Sequence, residues 1–401
     1  MEPAPPYASA ERAGEAVECY WMALLRDVPF SHFRTKDVVL GACTELSKLS
    51  DFRGPKTSSR VTPDTLFRGF TPGDIAGPYI SQFLLHSFDY GAIPLKQKIK
   101  TFLSIGDRGA DYLTDVDSWL TAQNGQGPFE ISRFDTVPRY IRNGRDMSAY
   151  VHLDHACQAF INASLFFNYQ KLPVNVGNPY RTSKTQSAFA TFGLPHIQSL
   201  LGTVSGCALR AVWYQKWFVH RTVRPEEFGG RLHFSVTGEQ SSPIHADARN
   251  AEAVARVHKT TGSYLLPQAF PEGCPQHPSY AQGHAAVAGA CATLLKAFLD
   301  ERHRINDFAD VVEASDDGLS LVTYQGTDAS QLTIGGELNK LAGNIAMGRN
   351  HAGIHWRSDY VGGLLLGEAA TIGVLRDQRQ TFSEQLRGLT FTKFDGSVIT
   401  I

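Results

Sequence analysis

Between His284 and Glu301 the chain reads HAAVAGACATLLKAFLDE, with alanine or glycine at positions 285, 286, 288, 289, 290 and 292. A helix coated with such small side chains lets neighbouring helices approach closely, and it offers water almost nothing polar to solvate. The run therefore predicts a helix in the interior of a helical assembly.

The surrounding segments carry the same periodicity. Ser9 to Asp27 places Ala13, Ala16, Val17, Tyr20 and Leu24 on one face behind a serine cap. Residues 142–170 and 196–223 are helix-compatible, the second behind Leu194-Pro195, and Leu332 to Leu375 divides into two further helices. Arg53 to Gly91 is broken by Pro55, Pro63, Pro72, Gly73, Gly77 and Pro78, which predicts a long loop leading into a short helix at Tyr79–Leu85. The C-terminal FTKFDGSVITI alternates weakly around Asp395-Gly396 and predicts a hairpin or edge strand. The fold class expected is all-α: helical bundles in two four-helix-bundle-like halves, with long loops and minor β hairpins. No low-complexity linker interrupts the 401 residues, so 1–401 is read as a single domain with its active-site half at 196–375.

Composition narrows the function classes. Hydrophobic residues make up 42% and charged ones 19%, as in a folded globular chain. Lys and Arg number 38 against 39 Asp and Glu, so no global basic field is available for nucleic acid or an anionic membrane, and any anion site must be local. Six scattered cysteines, none in a CxxC pair, read as mostly buried thiols rather than a zinc ribbon or disulfide framework. The N-terminus lacks a basic segment followed by an apolar run, and no apolar stretch approaches the ~18 residues of a membrane span. A cytoplasmic location is the expectation.

Three motifs carry chemistry. In Lys216-Trp-Phe-Val-His220-Arg-Thr-Val-Arg224-Pro225, Lys216, His220 and Arg224 follow at i, i+4 and i+8 among Trp213, Tyr214, Trp217 and Phe218. On a helix these cations share a face, and their aromatic setting suits a buried anion better than a solvated surface. In His277-Pro-Ser-Tyr-Ala-Gln282-Gly283-His284, glycine opens the small-residue helix, where backbone N–H groups and the helix dipole favour an anion. In Arg349-Asn-His351-Ala-Gly-Ile-His355-Trp-Arg-Ser-Asp359, His355 and Asp359 stand at i, i+4, so the carboxylate can fix one imidazole nitrogen and aim the other. Each alone is open to a bland reading: a solvated basic face, an ordinary helix cap, a surface His–Asp pair.

Together, Lys-x7-Arg-Pro, the Gly-His pair after His-Pro-Ser-Tyr, and Arg-x5-His-x3-Asp resemble the vanadate site of vanadium-dependent haloperoxidases of the red-algal and cyanobacterial bromoperoxidase type, in the wider type 2 phosphatidic acid phosphatase superfamily. The resemblance extends to AVECYWMALLRDVPFSHF, LFRGFTPGDIAGPYISQFLL and ELNKLAGNIAMGRN. It implies a vanadate cofactor, for which phosphate can substitute in the apo site, with hydrogen peroxide, a halide (bromide) and a small organic molecule as substrates. It also implies a homo-oligomer, a dimer or higher. By the same resemblance Lys216, Arg224 and Arg349 would hold the oxyanion's equatorial oxygens with the Gly283 N–H. His355 would be the metal ligand, Asp359 would orient it, and His284 would act as acid–base. His277 and Trp213 would shape the halide side. Gln282 stands where the family pattern has Ser, and its longer amide is expected to donate to the oxyanion while crowding it. His351 stands where relatives commonly hold an apolar residue, and is expected to add a titratable group near His355. Acid phosphatases share this site geometry, so a phosphomonoester hydrolase with His355 as nucleophile, or a vanadium-independent homologue, is the alternative.

Overall fold

The computed structural model describes residues 1–106, 108–127, 129 and 131–401. Its helices are α1 (Ala10–Leu25), α2 (Asp37–Lys48), α3 (Val116–Gln123), α4 (Gly144–Leu153), α5 (Gln158–Gln170), α6 (Leu194–Tyr214), α7 (Pro225–Thr237), α8 (Ala246–Arg249), α9 (Glu252–Thr261), α10 (Gly283–Phe298), α11 (Ile334–His351) and α12 (Arg357–Arg379). Four antiparallel two-stranded ribbons complete it: β1 (Phe88–Tyr90) with β2 (Ile93–Leu95), β3 (Ser104–Ile105) with β4 (Arg108–Gly109), β5 (Val312–Ala314) with β6 (Leu321–Thr323), and β7 (Thr390–Thr392) with β8 (Val398–Thr400). The architecture is the expected all-helical one, with the C-terminal hairpin where its Asp-Gly turn placed it. No helix among the described residues is long and apolar enough to cross a membrane.

The small-residue run is the centre of this assembly. α10 is almost wholly buried and packs against α6, α11 and α12. Its seam with α12 is backbone on backbone: a Cβ at Gly289 would stand 2.2 Å from the Leu364 carbonyl oxygen, and one at Gly367 would stand 2.0 Å from that of Ala286. This close approach brings the first turns of the two helices together, where the Gln282 N–H donates to the Asp359 carbonyl at 3.0 Å. At its other end α10 anchors the terminal ribbon: Lys296, fully buried, donates to the Thr392 carbonyl at 2.7 Å and lies 4.1 Å from the Phe394 ring centre.

Three local readings need correction. The long run 142–170 is two helices, because Asp154–Cys157 forms a turn that ends with Cys157 in the left-handed region at φ 57°. The run 196–223 leaves the α-helix at Tyr214 and continues as one π-helical turn, Gln215–His220. Such turns interrupt the 3.6-residue phase and are frequent at functional sites. The Tyr79–Leu85 helix shrinks to a 3-10 turn at Gln82–Leu84, since its backbone is claimed by α11. Ser81 and Gln82 donate their backbone N–H groups to the side chains of Asn344 (2.8 Å) and Glu337 (2.7 Å), and Asn344 donates to the Tyr79 carbonyl at 3.0 Å. The long proline-rich loop is thereby clamped onto α11.

Candidate active site

The three motifs meet in one cavity of about 320 Å³. Lys216 comes from the π turn, Arg224 from the residue capping α7, and His277 from the loop before α10. Gly283 and His284 come from the first turn of α10, Arg349 from the end of α11, and His355 from the turn before α12. The π turn matters here. It removes His220 from the expected shared face, and that ring packs against Tyr280 instead, 4.7 Å away. Lys216 and Arg224 still converge, because Arg224 is extended rather than helical at φ −81°, ψ 157°.

The three cations are buried, with 1% exposure at Lys216, 6% at Arg224 and 8% at Arg349. The Lys216 ammonium donates to the carbonyls of Pro278 (2.8 Å) and Ser279 (2.6 Å). Burial, reinforced by Arg224 in both cases, pulls Lys216 down to about 6 and Arg349 to about 10. Arg349 donates through one terminal nitrogen to the Val151 carbonyl at 3.2 Å, while its buried Nε has no partner. Two buried guanidinium groups, a lysine whose charge burial disfavours and an unsatisfied buried donor describe a cavity whose donors suit an anion.

The imidazole opposite is held rigidly. His355 Nδ1 lies 2.7 Å from Asp359 Oδ2, and that oxygen also accepts from the Trp356 N–H at 3.1 Å and from the Ser279 hydroxyl. A fully buried acceptor in that position assigns the proton to Nδ1. Nε2 then offers its lone pair to the cavity side, where Arg224 stands 2.9 Å away. Burial, with Arg224, Lys216 and Arg349 behind it, holds His355 well below the ordinary histidine range, so the ring is neutral rather than a cation. Burial does the same for His277, at about 3, and its ring lies 4.8 Å from that of Trp213. At the start of α10 a Cβ on Gly283 would meet only a Leu209 methyl at 4.0 Å, so the helix N-terminus faces open space. His284 Nε2 is 3.0 Å from Asp154 Oδ1 on the same wall.

The chain has relatives among known proteins. A sequence model described as the VCPO second helical-bundle domain matches residues 200–384. The vanadium-dependent bromoperoxidase of Ascophyllum nodosum is 37% identical over an alignment covering all of this chain and 73% of its own length. The chain belongs to the vanadium-dependent bromoperoxidase family. The family's Corallina officinalis member is 34% identical, with all of this chain and 76% of the relative covered. The solved homohexameric second vanadate-dependent bromoperoxidase of Ascophyllum nodosum superposes with a TM-score of 0.93 at 33% identity, over 100% of this chain and 72% of that one.

Two expectations change within this cavity. Gln282, read as a donor to the oxyanion, does not line the cavity: its amide is fully buried and donates to the Ala346 carbonyl of α11 at 2.9 Å. His351 is likewise a core residue, packed among Phe67, Phe30 and Tyr79. Burial holds it at about 3, so it does not titrate in the working range. Two site residues escaped the sequence reading. Ser279 lies inside the second motif but shows its role only through its bond to Asp359. Asp154 ends α4, 130 residues before His284, and no spacing rule connects them.

Proposed function

We propose that this chain is a vanadate-dependent haloperoxidase that uses hydrogen peroxide to oxidise a halide, bromide by family, to a hypohalous-acid equivalent that halogenates organic molecules. The observation carrying this reading is the cavity into which buried Lys216, Arg224 and Arg349 and a neutral imidazole converge. A tetrahedral oxyanion fits that donor set. Lys216, Arg224 and Arg349 would neutralise its oxygens, the helix start at Gly283 would contribute backbone N–H, and His355 Nε2 would be the ligand to the metal. When bound, vanadate supplies a Lewis acid that activates peroxide without changing its own oxidation state.

The remaining chemistry belongs to side chains. Asp359 keeps the proton on His355 Nδ1 and fixes the ring, while burial and the neighbouring Arg224, Lys216 and Arg349 keep Nε2 unprotonated. His284, steadied by Asp154, moves protons between the cavity and the departing oxygen. The balance is one peroxide, one halide ion and one proton giving hypohalous acid and water. Neutral His277 and Trp213 form the less polar flank that receives the halide. Self-association belongs to the same reading, supported by the hexameric relative. Exposed Tyr214, Trp217 and Phe218 beside the site are apolar surface of the kind that assembly covers.

The test is bromination of a phenolic dye by purified protein with peroxide and bromide, with and without orthovanadate, beside His355→Ala. Vanadate-dependent activity that the variant loses is the expected result. Absence of bromination at every vanadate level, with phosphate-ester hydrolysis by the vanadium-free protein, would overturn the reading.

A further inference from the structure

We infer that the cavity has a second, apolar layer that holds a neutral, electron-rich arene beside the oxyanion donors, so that the organic substrate is halogenated while bound rather than in bulk water. The inference rests on the proposed function only in placing the source of electrophilic halogen among those donors.

The helices that bring polar groups to the cavity also bring apolar ones, a turn or two along. α11 gives Arg349 and, four residues earlier, Ile345, while α10 gives His284 and, three residues later, Val287. Lys216, just beyond α6, follows Leu209 by seven residues, and α5 adds Phe160 to the same lining. Residues three or four apart share a helix face and stand about 5 Å apart along its axis. α6 and α11 end where α10 begins, so stepping back along the first two and forward along the third leads the same way, out of the ring of donors. The lining is therefore built in two layers. Phe160, Val287 and Ile345 are buried and Leu209 is half-buried, and none of the four has a polar side-chain atom. The layers adjoin at the start of α10, where a Leu209 methyl lies 4.0 Å from the place a Cβ on Gly283 would take.

A tetrahedral oxyanion uses the donors and gains nothing from the second layer. A ring seated against these side chains removes apolar surface from water on both partners. The volume of about 320 Å³ also falls in the range of small-molecule sites, which combine a mostly apolar lining with a few polar groups. Charge excludes other classes of ligand. A carboxylate or sulfonate would be drawn onto Lys216, Arg224 and Arg349 in place of the oxyanion, and a cation would be repelled by them. Electrophilic halogen requires π electrons, which an arene supplies. In the reaction a ring carbon bonds to halogen as the halogen–oxygen bond of the hypohalous acid breaks, and the hydroxide released takes the ring proton and leaves as water.

The experiment first measures binding of 2-methoxynaphthalene to the full-length, vanadium-free protein by equilibrium dialysis, with and without saturating inorganic phosphate. Saturable binding that phosphate does not displace is expected. Leu209→Asn and Val287→Thr should each weaken it about tenfold, the scale of one altered apolar contact in a pocket, while phosphate affinity stays that of the parent. The vanadate-loaded enzyme then brominates the same arene in competition with a neutral, hydrophilic phenol, and the product ratio is compared with that from added hypobromous acid. The parent should favour the arene over the free reagent, and both variants should return the ratio towards the free-reagent value. Absence of saturable binding, displacement by phosphate, unchanged binding in both variants, or a parent ratio equal to that of hypobromous acid would overturn the inference. So would loss of phosphate binding in both variants, which would make the layer part of the oxyanion site. Because the dialysis contains no vanadate, peroxide or bromide, its failure and that of the haloperoxidase reading are separately visible.

Discussion

Replacing Asp359 by Asn tests whether the His355–Asp359 pair is what makes the imidazole a ligand. The substitution keeps the volume of a fully buried side chain and one carbonyl oxygen for the Trp356 N–H, now 3.1 Å away. It removes the negative charge that holds the Nδ1 proton at 2.7 Å and that faces the Lys216 ammonium from behind. Loss of a carboxylate partner behind a metal-bound histidine typically weakens metal affinity or activity by about 10- to 100-fold. At about 1.4 kcal/mol per factor of ten, that is roughly 1.4 to 2.8 kcal/mol of binding. The assay is the orthovanadate concentration giving half-maximal bromination after chelation, measured beside the urea midpoint of the vanadium-free protein. The vanadate requirement should rise by that factor while the midpoint shifts little. An unchanged requirement, or a rise matched by a collapse of the midpoint, would show that the carboxylate is a structural cap and nothing more.

Other substitutions separate site from scaffold. Gly283→Ala adds a methyl where only Leu209 stands within 4.0 Å. It should raise stability by up to about 1 kcal/mol through helix propensity while weakening vanadate or phosphate binding, by thermal melts and calorimetry. Gln282→Ala should do the reverse, costing about 1 to 3 kcal/mol through the lost hydrogen bond to the Ala346 carbonyl and the buried space it vacates, but changing half-maximal vanadate less than threefold. Lys296 is buried and held down at about 8, against 10.5 in the unfolded chain. A lowered folded pKa means its stabilising contribution is present above pH 10.5 and lost as pH falls through 8, a difference of about 3 kcal/mol. Lys296→Met should therefore flatten the stability profile between pH 8 and 10.5, and a slope equal to that of the parent would count against the assignment.

Much of the molecule can be read from the chain because its strongest signals are local. The alanine–glycine run specifies a buried helix whatever surrounds it, and Ser9 and Asp395-Gly396 announce their own boundaries. The site is legible for a different reason: its groups sit within three short stretches, so chain order stands in for distance. What sequence does not show depends on partners far away. No residue pattern announces the π turn that re-aims Lys216 relative to Arg224. Asp154 joins His284 only because α4 packs on α11. Gln282 lies one residue from the site, yet its direction is chosen by a carbonyl on another helix. His351 looks titratable by type and is made inert by three aromatic rings.

The burial of the cationic trio also fixes the range of its attraction. The chain as a whole carries a formal charge of −1, and the positive groups sit beneath a low-dielectric wall rather than on the surface. At physiological ionic strength fields decay within about 8 Å, so an approaching oxyanion feels almost nothing until it is inside the mouth. Loading is then governed by contact rather than by steering from afar. Added inert salt should barely alter its rate, whereas anions of the same tetrahedral shape compete for the same place.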